Sequence, residues 1–407
     1  MNTYSSYKDS GIEWMGNIPE SWELTKNRFG FLKHKNGLNE SDDTNVLSLT
    51  TTGVKVKRDL NFGKSSESYI GHQLVEQGDI VFTPRDFDQT PILSDVSKYE
   101  GCISNLYIVD KTKENVLNRY VNYYWYGLKY SVDYFKNFSH GMRYSFNRFQ
   151  FDEIPLLIPS LREQQQISDY LDYKTSKIDI LIEKTQQKIE LLKEQRTSLI
   201  NTTVTKGLDP NVEMKDSGVE WIGDDPVGWD LVRLKYLFSL EGGKDPKRIQ
   251  DDDGEYPILG TGGEISRGSD FLYNKPTLLL GRKGTIDKPF LFDKPFWVSD
   301  VMYYTIQKSD ITPKYLYLLF TLTPFDYYRY GSTQPSMSRL DYESMFFPIP
   351  KKEERQQIVD YLDKETSKID KLVDIESKRI ILLKEYRQSL ISEVVTGKVD
   401  VRNEVLV

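Results

Sequence analysis

The chain has 407 residues and a mass of 47.5 kDa, a length at which one hydrophobic core usually gives way to several domains. Its net charge of −7 and pI near 5.3 exclude a generally basic nucleic-acid coat, although local positive patches could still contact phosphates. The single cysteine, Cys102, excludes a disulfide framework within the chain and favours a reducing cytoplasm, and with only three histidines it leaves little for a zinc or iron site. The sequence contains no run of about 18 apolar residues, so no membrane span is predicted.

Two stretches of the sequence occur twice. KDSGIEWMG, at Lys8–Gly16, returns as KDSGVEWIG at Lys215–Gly223, 207 positions later. The stretch Glu163–Lys184 returns at Glu354–Ile375, 191 positions later, so the segment between the markers is 16 residues shorter in the second copy. Repeated ends around unlike middles predict one scaffold built twice that presents two different reading surfaces. The boundaries we expect are 1–159 and 207–350 for two globular segments, 160–206 for a first helix, and 351–407 for a second helix and tail.

The first globular segment reads as mixed strand and helix. Thr44–Gly53, Gly78–Asp86 and Cys102–Val109 are short apolar runs with turn residues, which predicts strands. Tyr120–Tyr130 is rich in aromatic residues, and we favour a helix facing the core over a platform on which bases stack. A polar loop, Ser139–Arg148, precedes the long helix.

The second globular segment follows the same plan. Strands are predicted at Tyr256–Gly263, Pro276–Thr285 and Trp297–Ile306, followed by an aromatic helix at Lys314–Phe320. A second polar loop, Gly331–Arg339, precedes the second long helix. The fold class is therefore α+β, with two mixed domains and an internal pseudo-twofold repeat.

The long helices are predicted at 160–206 and 351–400, each with a proline-marked segment before it and a glycine near its end. Residues recur in each at alternating spacings of three and four, the seam of a coiled coil, so the two helices can pack as an antiparallel pair. About 40 helical residues span about 60 Å, which exceeds one turn of duplex DNA, about 34 Å. Glu376 occupies a seam position where an apolar residue would pack better. The seam residues are Ser168, Leu171, Thr175, Ile178, Ile182, Thr185, Ile189, Leu192, Arg196 and Leu199, and Val359, Leu362, Thr366, Ile369, Val373, Glu376, Ile380, Leu383, Arg387 and Leu390.

No catalytic constellation is evident. The glycine-rich stretches Gly260–Ser269 and Gly281–Thr285 fit neither a P-loop nor a dinucleotide fingerprint. A methyltransferase loop of the Asn/Asp-Pro-Pro-aromatic type is absent. Asp95 with Lys98 could imitate a nuclease core, but such pairs arise by chance in a chain with 28% charged residues. His140 has no recognisable nucleophile partner and reads as a loop residue.

What remains is a set of candidate DNA-binding side chains. Strand ends carry Arg85, Arg282 and Lys283, where a guanidinium or ammonium could project into a groove, and the arginine fork matches the major-groove edge of guanine. Side chains of the two polar loops could bond base edges or phosphates, and six more cations are candidate phosphate contacts. For any single residue an ordinary solvated turn is an equal alternative. The loop residues are Arg143, Asn147, Gln334, Ser336 and Ser338, and the phosphate candidates are Lys55, Lys57, Arg58, Lys244, Lys247 and Arg248.

The paired half-repeats, the E-x-Q-Q-I helix start after a proline-rich strand, and the K-D-S-G-x-E-W-x-G marker resemble the specificity subunit of type I restriction-modification systems, over essentially the whole chain. The resemblance implies two target-recognition domains, each reading half of an asymmetric, split site in double-stranded DNA, joined by antiparallel helices. It places the base-reading loops around Arg85 and Arg143 in the first domain, and around Arg282 and Gln334 in the second.

The resemblance also implies partners and cofactors. Two modification subunits would dock on the chain and bring S-adenosylmethionine for adenine methylation, and restriction subunits would add ATP-driven translocation and magnesium-dependent cleavage. The chain itself would have no catalytic activity, no cofactor and no metal.

Two other interpretations are weighed against this one. A fused restriction enzyme would need nuclease and methyltransferase domains, for which the chain has neither motifs nor spare length. A non-enzymatic scaffold with two protein-binding heads and an intermolecular coiled coil remains open, and it would form an obligate dimer.

Overall fold

The computed structural model describes residues 2–33, 37–58, 68–85, 92–132, 134–137, 145, 147–330 and 335–404. The chain divides into two compact units, Met1–Gln186 with Lys378–Val407, and Gln187–Ser377. The division therefore falls inside the two long helices, Leu161–Lys206 and Lys352–Val395, each of which contributes one part to each unit. We refer to these helices as the first and second spacer helices.

The first unit is built on an antiparallel sheet of four strands in the order Phe31–Lys33, Ile108–Thr112, Ile80–Phe82, Ser94–Val96. Glu23–Lys26 pairs with Pro155–Ile158 just before the first spacer helix begins. Three further antiparallel pairs are Tyr7–Asp9 with Asn17–Pro19, Leu47–Thr50 with Gly53–Val56, and Gln73–Val75 with Gly101–Ile103. The shorter helices are Asn27–Gly30, Asn118–Val132, Tyr134–Asn137 and Arg148–Asp152.

The second unit repeats this design. Its four-stranded antiparallel sheet has the order Phe238–Gly242, Met302–Gln307, Thr277–Gly281, Phe290–Phe292. Asp230–Arg233 pairs with Phe346–Ile349, and Met214–Asp216 with Asp224–Pro226. A further sheet joins Gly263–Gly268, Tyr256–Gly260 and Trp297–Val298. The shorter helices are Leu234–Leu237, Pro313–Phe320 and Arg339–Ser344, with 3₁₀ turns at Pro246–Arg248 and Phe325–Tyr327.

Two of the strands expected from the sequence are each split in two. Cys102–Val109 was expected to form one strand, but a turn separates Gly101–Ile103 from Ile108–Thr112. Trp297–Ile306 is likewise divided into Trp297–Val298 and Met302–Gln307. The polar residues between the halves bend the chain, and each half pairs with a different sheet.

The repeated marker forms a two-stranded ribbon in each unit. Gly11 and Gly16 have φ of 70° and 64°, and Gly218 and Gly223 have φ of 70° and 66°. Backbone with positive φ favours glycine, which explains why both glycines recur at the same spacing.

In the first unit the spacer helices run antiparallel. Residues of the first helix, such as Leu171 and Ile178, share one core with Leu390 and Val394 of the second. The amide of Gln166 donates to the carbonyl of Arg402, and further along the helix Asp179 lies 2.9 Å from the guanidinium of Arg387. As residue numbers increase along the first helix, the residue numbers of the contacting partners decrease, which is the antiparallel arrangement.

In the second unit the direction is the same. Lys188 Nζ lies 2.5 Å from Glu376 Oε1, and Arg196 Nε lies 2.9 Å from Asp370 Oδ1. Glu376 is only 6% exposed and is compensated by Lys188, so an ion pair stands where the seam was expected to pack poorly. All the predicted seam residues are buried or half-buried, which confirms the coiled-coil seam and the antiparallel pairing.

The aromatic helices face the cores, as expected. Tyr120, Tyr124, Trp125 and Leu128 are fully buried in the first unit, and their counterparts on Pro313–Phe320 are buried in the second. Such burial leaves no stacking platform for bases on these faces. The first core is dominated by ring contacts, for example Phe31 stacked on Trp125 with a centroid distance of 5.4 Å.

A matched hydrogen bond ties the turn after each two-stranded ribbon to the start of the spacer helix. Trp22 Nε1 donates to Glu163 Oε1 at 3.0 Å, and Trp229 Nε1 donates to Glu354 Oε2 at 3.1 Å. The first position of the E-x-Q-Q-I motif is therefore an acceptor for a tryptophan that lies six residues after each marker, which explains why both residues recur.

Candidate functional site

A cleft of about 730 Å³ opens beside the end of the central sheet in the first unit. It brings together Arg85 and Asn147, two of the candidate residues that lie 62 positions apart in the sequence. The remaining lining residues are Gln73, Pro84, Asn105, Leu106, Tyr107, Ile108, Val109, Asp110, Ser145, Arg148 and Gln150.

Backbone pairing and a helix cap position these side chains. Arg85 follows strand Ile80–Phe82 and forms an isolated antiparallel bridge with Ser145. Two residues later Asn147 caps helix Arg148–Asp152: its side chain accepts from Gln150 N at 3.0 Å, while Gln150 Oε1 accepts from Asn147 N at 2.9 Å. This capping box fixes the loop end against the strand end.

The two arginines of the cleft differ in their surroundings. Arg148 is held by Asp110 at 2.7 Å and by Asp152 at 2.8 Å. Burial acts to lower the pKa of Arg148, but hydrogen bonds and charge from these carboxylates outweigh it, so the pKa is raised. Arg85 is exposed, and no acidic side chain within the described ranges pairs with it. Among the described cleft residues, Arg85 is therefore the cation without an acidic partner.

The second unit builds the same frame with other residues. Lys283 follows strand Thr277–Gly281 and bridges Ser336, and Met337 N donates to Arg282 O at 3.0 Å. Ser338 caps helix Arg339–Ser344 through a capping box with Asp341, and Arg339 pairs with Glu343 at 2.7 Å.

Because Arg85 bridges Ser145 and Lys283 bridges Ser336, Lys283 is the positional counterpart of Arg85, and Arg282 is the counterpart of Pro84. Lys283 is exposed, whereas a guanidinium nitrogen of Arg282 lies 3.4 Å from the carbonyl of Asp300.

The sequence analysis did not identify Arg148 and Arg339 as residues of the candidate sites. They stand 191 positions apart, the offset of the repeated helix, and so do Ser145 and Ser336. The helix repeat therefore extends back to SFNRFQ and SMSRLD, a signal that was readable in the sequence.

The other candidate residues lie away from this first cleft or outside the described residues. Arg143 and Gln334 are among the residues that the structure does not describe. Ser336 is half-buried, and its hydroxyl lies 3.4 Å from the carbonyl of Tyr330. Of the phosphate candidates, Lys57 is half-buried and the rest are exposed. In the first unit, Lys55 lies on strand Gly53–Val56 and Arg58 follows that strand. In the second unit, Lys244 follows strand Phe238–Gly242, and Lys247 and Arg248 lie on a 3₁₀ turn, where Lys247 Nζ is 3.6 Å from Asp245. Their contacts with DNA stay predictions.

Within the described ranges, no group of three or more His, Cys, Asp or Glu is placed to hold a metal ion. Across the same residues, no helix has the length and apolar character needed to cross a membrane.

The model of the type I restriction modification DNA specificity domain matches this chain twice, at residues 30–191 and 226–402. The chain belongs to this family. The two matches include both bridged strand ends, at Arg85 and at Lys283, and most of both spacer helices, so the duplication seen in the sequence is a duplication of the specificity domain. Membership of this family favours the specificity-subunit interpretation over a general protein-binding scaffold.

Two curated relatives, both from Methanocaldococcus jannaschii, are similar over most of their length. The putative type I restriction enzyme MjaX specificity subunit is 23% identical, with 95% of this chain and 96% of the relative covered. The type I restriction enzyme MjaVIII specificity subunit is also 23% identical, over 75% of this chain and 76% of the relative.

Two solved structures share the fold. One, described as the structural basis underlying complex assembly and conformational transition of the type I R-M system, aligns with a TM-score of 0.74 at 13% identity, covering 94% of this chain and 99% of that chain. The HsdS subunit from Thermoanaerobacter tengcongensis aligns with a TM-score of 0.53 at 14% identity, covering 98% of this chain and all of that chain.

Proposed function

We propose that this chain is the DNA-reading subunit of a type I restriction-modification complex, in which each unit reads one half of a bipartite, asymmetric site. The observation that carries the proposal is a repeated arrangement, in which both units hold a cation at a strand end against a capped helix start. The residues at these two positions, which we call the tips, differ: the cation is Arg85 or Lys283, and the cap is Asn147 or Ser338. A shared frame with different tips suits two half-sites of different sequence, since base contacts specify and phosphate contacts position.

The chemistry of the tips fits base reading. Arg85 presents a planar fork that can bond two acceptors of guanine, whereas Lys283 is a single flexible point charge. Asn147 uses its side-chain oxygen in the helix cap, which leaves its amide NH₂ group free to donate. Arg282, which is exposed and precedes Lys283, is a second candidate for contacts with the same half-site.

We further propose that the spacer helices set the gap between the half-sites and offer docking surface to two modification subunits. Leu191 and Leu382, which are 191 positions apart, are each 64% exposed, and Leu181 and Leu372 are also a matched exposed pair. Apolar residues that recur in solvent on both helices suit two copies of one partner. Methylation with S-adenosylmethionine, and ATP- and magnesium-dependent cleavage by restriction subunits, would belong to those partners, in the cytoplasm where the DNA lies.

The test is to change one tip at a time in the intact complex. Arg85→Ala should weaken readout of one half-site about 5- to 150-fold, because a good base contact contributes about 1–3 kcal/mol of discrimination. Lys283→Ala, and Arg282→Ala beside it, should affect only the other half-site. Methylome sequencing reads both half-motifs at once, and Lys98→Ala, an exposed lysine outside the cleft, serves as the control. Equal loss at both half-sites in each variant would overturn the modular assignment.

A further inference from the structure

A pair of short helices in the first unit exposes two aromatic rings. Phe29, on Asn27–Gly30, is 55% exposed, and Phe149, on Arg148–Asp152, is 70% exposed. The helices adjoin, since Asn27 Nδ2 donates to the carbonyl of Phe151 at 3.0 Å. The guanidinium of Arg28 lies over the ring of Phe29, 4.9 Å from its centroid. We call Arg28, Phe29 and Phe149 the first head patch.

The second unit exposes the same kind of surface. Tyr236, on Leu234–Leu237, is 64% exposed, and Leu340, on Arg339–Ser344, is 74% exposed. These two helices also adjoin, because Leu234 N donates to the carbonyl of Met345 at 2.9 Å. Lys235 Nζ lies 4.9 Å from the centroid of the Tyr236 ring. Lys235, Tyr236 and Leu340 form the second head patch.

The two patches match position by position. Arg28 and Phe29 are 207 positions before Lys235 and Tyr236, and Phe149 is 191 positions before Leu340, the offsets of the two repeated stretches. A single exposed apolar side chain is ordinary in a folded protein. Both patches recur as a set, although the segments between their two short helices have diverged. This recurrence indicates a surface that binds the same ligand in both units.

The chemistry of the patches favours a protein over DNA. Rings and a leucine side chain gain by leaving water against another apolar surface, which phosphates do not supply. Aromatic residues and arginine are also the types enriched at protein interfaces. The rim is basic: Arg28 and Lys26 share one carboxylate, Glu153, and in the second unit Arg233 lies over Phe346 beside Lys235.

We propose that the two head patches are docking surfaces for two copies of the modification subunit, one on each unit, through an apolar face with an acidic rim. The inference rests on the proposed function and adds contacts on the heads to those expected on the spacer helices. Its geometry suits the reaction. Arg148 and Gln150, the neighbours of Phe149, line the first cleft, so a subunit seated on the patch lies beside the DNA that the cleft reads and can reach a base within that half-site.

The experiment measures how many modification subunits bind the full-length chain, by native mass spectrometry and by sedimentation. Wild-type chain should bind two. Phe29→Ser with Phe149→Ser should bind one at concentrations that saturate wild type, with at least a 10-fold loss of affinity at the altered unit. Tyr236→Ser with Leu340→Ser should give the same result, and the fourfold variant should lose at least 10-fold at both units.

Ile70→Ser and Ile265→Ser are matched controls, since these residues are similarly exposed and have no exposed apolar counterpart at either repeat offset. Both should still bind two subunits. If a serine pair lowers the melting temperature, Phe149→Lys and Leu340→Lys repeat the test, because lysine preserves helix propensity.

The outcomes separate the inference from the function on which it rests. Failure of wild-type chain to bind any modification subunit would overturn the proposed function itself. Two subunits bound with unchanged affinity by every patch variant would overturn the docking surface alone. Unchanged subunit binding with a 10-fold loss of DNA affinity would assign the patches to DNA and also overturn the inference.

Discussion

Arg148 in the first unit and Arg339 in the second occupy matching positions, yet their charges are compensated differently. Arg148 reaches the buried carboxylate of Asp110 as well as Asp152, whereas Arg339 pairs with the partly exposed Glu343. The strand register puts Thr305 where the first sheet has Asp110, and Thr305 bonds instead to Thr277 and to Leu278 N. One backbone frame therefore accepts either a buried charge pair or a pair of hydroxyls, so the tips can diverge without rebuilding the sheet.

The two-stranded ribbons also accept different buried residues at one position, and the residue in the second unit is the less favourable one. Ile18 is buried in the first core, and the residue 207 positions later is Asp225, which is also fully buried. Within the described residues neither carboxylate oxygen of Asp225 has a hydrogen-bond partner. Burial raises the pKa of Asp225 above its ordinary value of 3.8, and Lys215 opposes that rise. The first ribbon is therefore the better packed of the two.

The largest difference between the units is expected on removing the buried acid. Asp110→Ala should destabilise the first unit by about 2–3 kcal/mol, because a charged hydrogen bond is lost and Arg148 keeps only Asp152. Thr305→Val, the matched change, should cost the second unit about 1 kcal/mol. Hydrogen exchange of the central-sheet amides measures each unit separately. Equal losses in both would contradict the difference in anchoring.

Asp225→Ile, which restores the residue of the first ribbon, should stabilise the second unit by about 1–3 kcal/mol at neutral pH. The sign follows from the raised pKa: folding favours the protonated acid, so the cost of the ionised group is full above the folded pKa and disappears as the pH falls towards 3.8. The gain should therefore shrink on acidification. Unfolding measured from pH 7 downwards tests this, and a gain that is independent of pH would contradict it. Ile18→Asp is the reciprocal change and should destabilise the first unit most at neutral pH.

The smallest effect is expected from the repeat-related ion pairs of the spacer helices. Arg196→Gln and Arg387→Gln each remove a guanidinium that lies 2.9 Å from a carboxylate, Asp370 or Asp179, on the facing helix. Both pairs are largely solvated, so each loss should be about 0.5 kcal/mol and should shrink in high salt. Urea unfolding at two ionic strengths provides the measurement. A loss of several kcal/mol, or one insensitive to salt, would show that the seam depends on these charges.

Much of the architecture could be predicted from the sequence because its signals are long. The seam repeats over 32 residues in each helix, from Ser168 to Leu199 and from Val359 to Leu390, and the aromatic helices carry enough rings to require a core. The duplication itself predicted one frame built twice, and the shared capping boxes extend that frame upstream of the helices.

The site was harder to predict because its residues meet through pairing between distant segments. Nothing local to Arg85 indicates that Ser145 lies opposite it, and the divided strands show that a short polar insertion can redirect a chain between sheets. Asp110 reads as an ordinary strand residue, and its role is evident only once Arg148 is placed above the sheet. Arg143 and Gln334 remain predictions.

We propose that the spacer helices fix the distance between two independent DNA-reading units, and deletion of one heptad from both helices is the sharpest test. Removing Lys184–Glu190 together with Ile375–Ile381 shortens facing segments of the antiparallel pair, keeps the seam in phase and leaves Leu191 and Leu382 in place. Seven helical residues correspond to about 10 Å, or about three base pairs of duplex DNA. Methylome sequencing should then show both half-motifs unchanged with the gap between them shortened by about that amount. A complex with the shortened chain that still methylates sites with the original gap would contradict this role of the spacer helices.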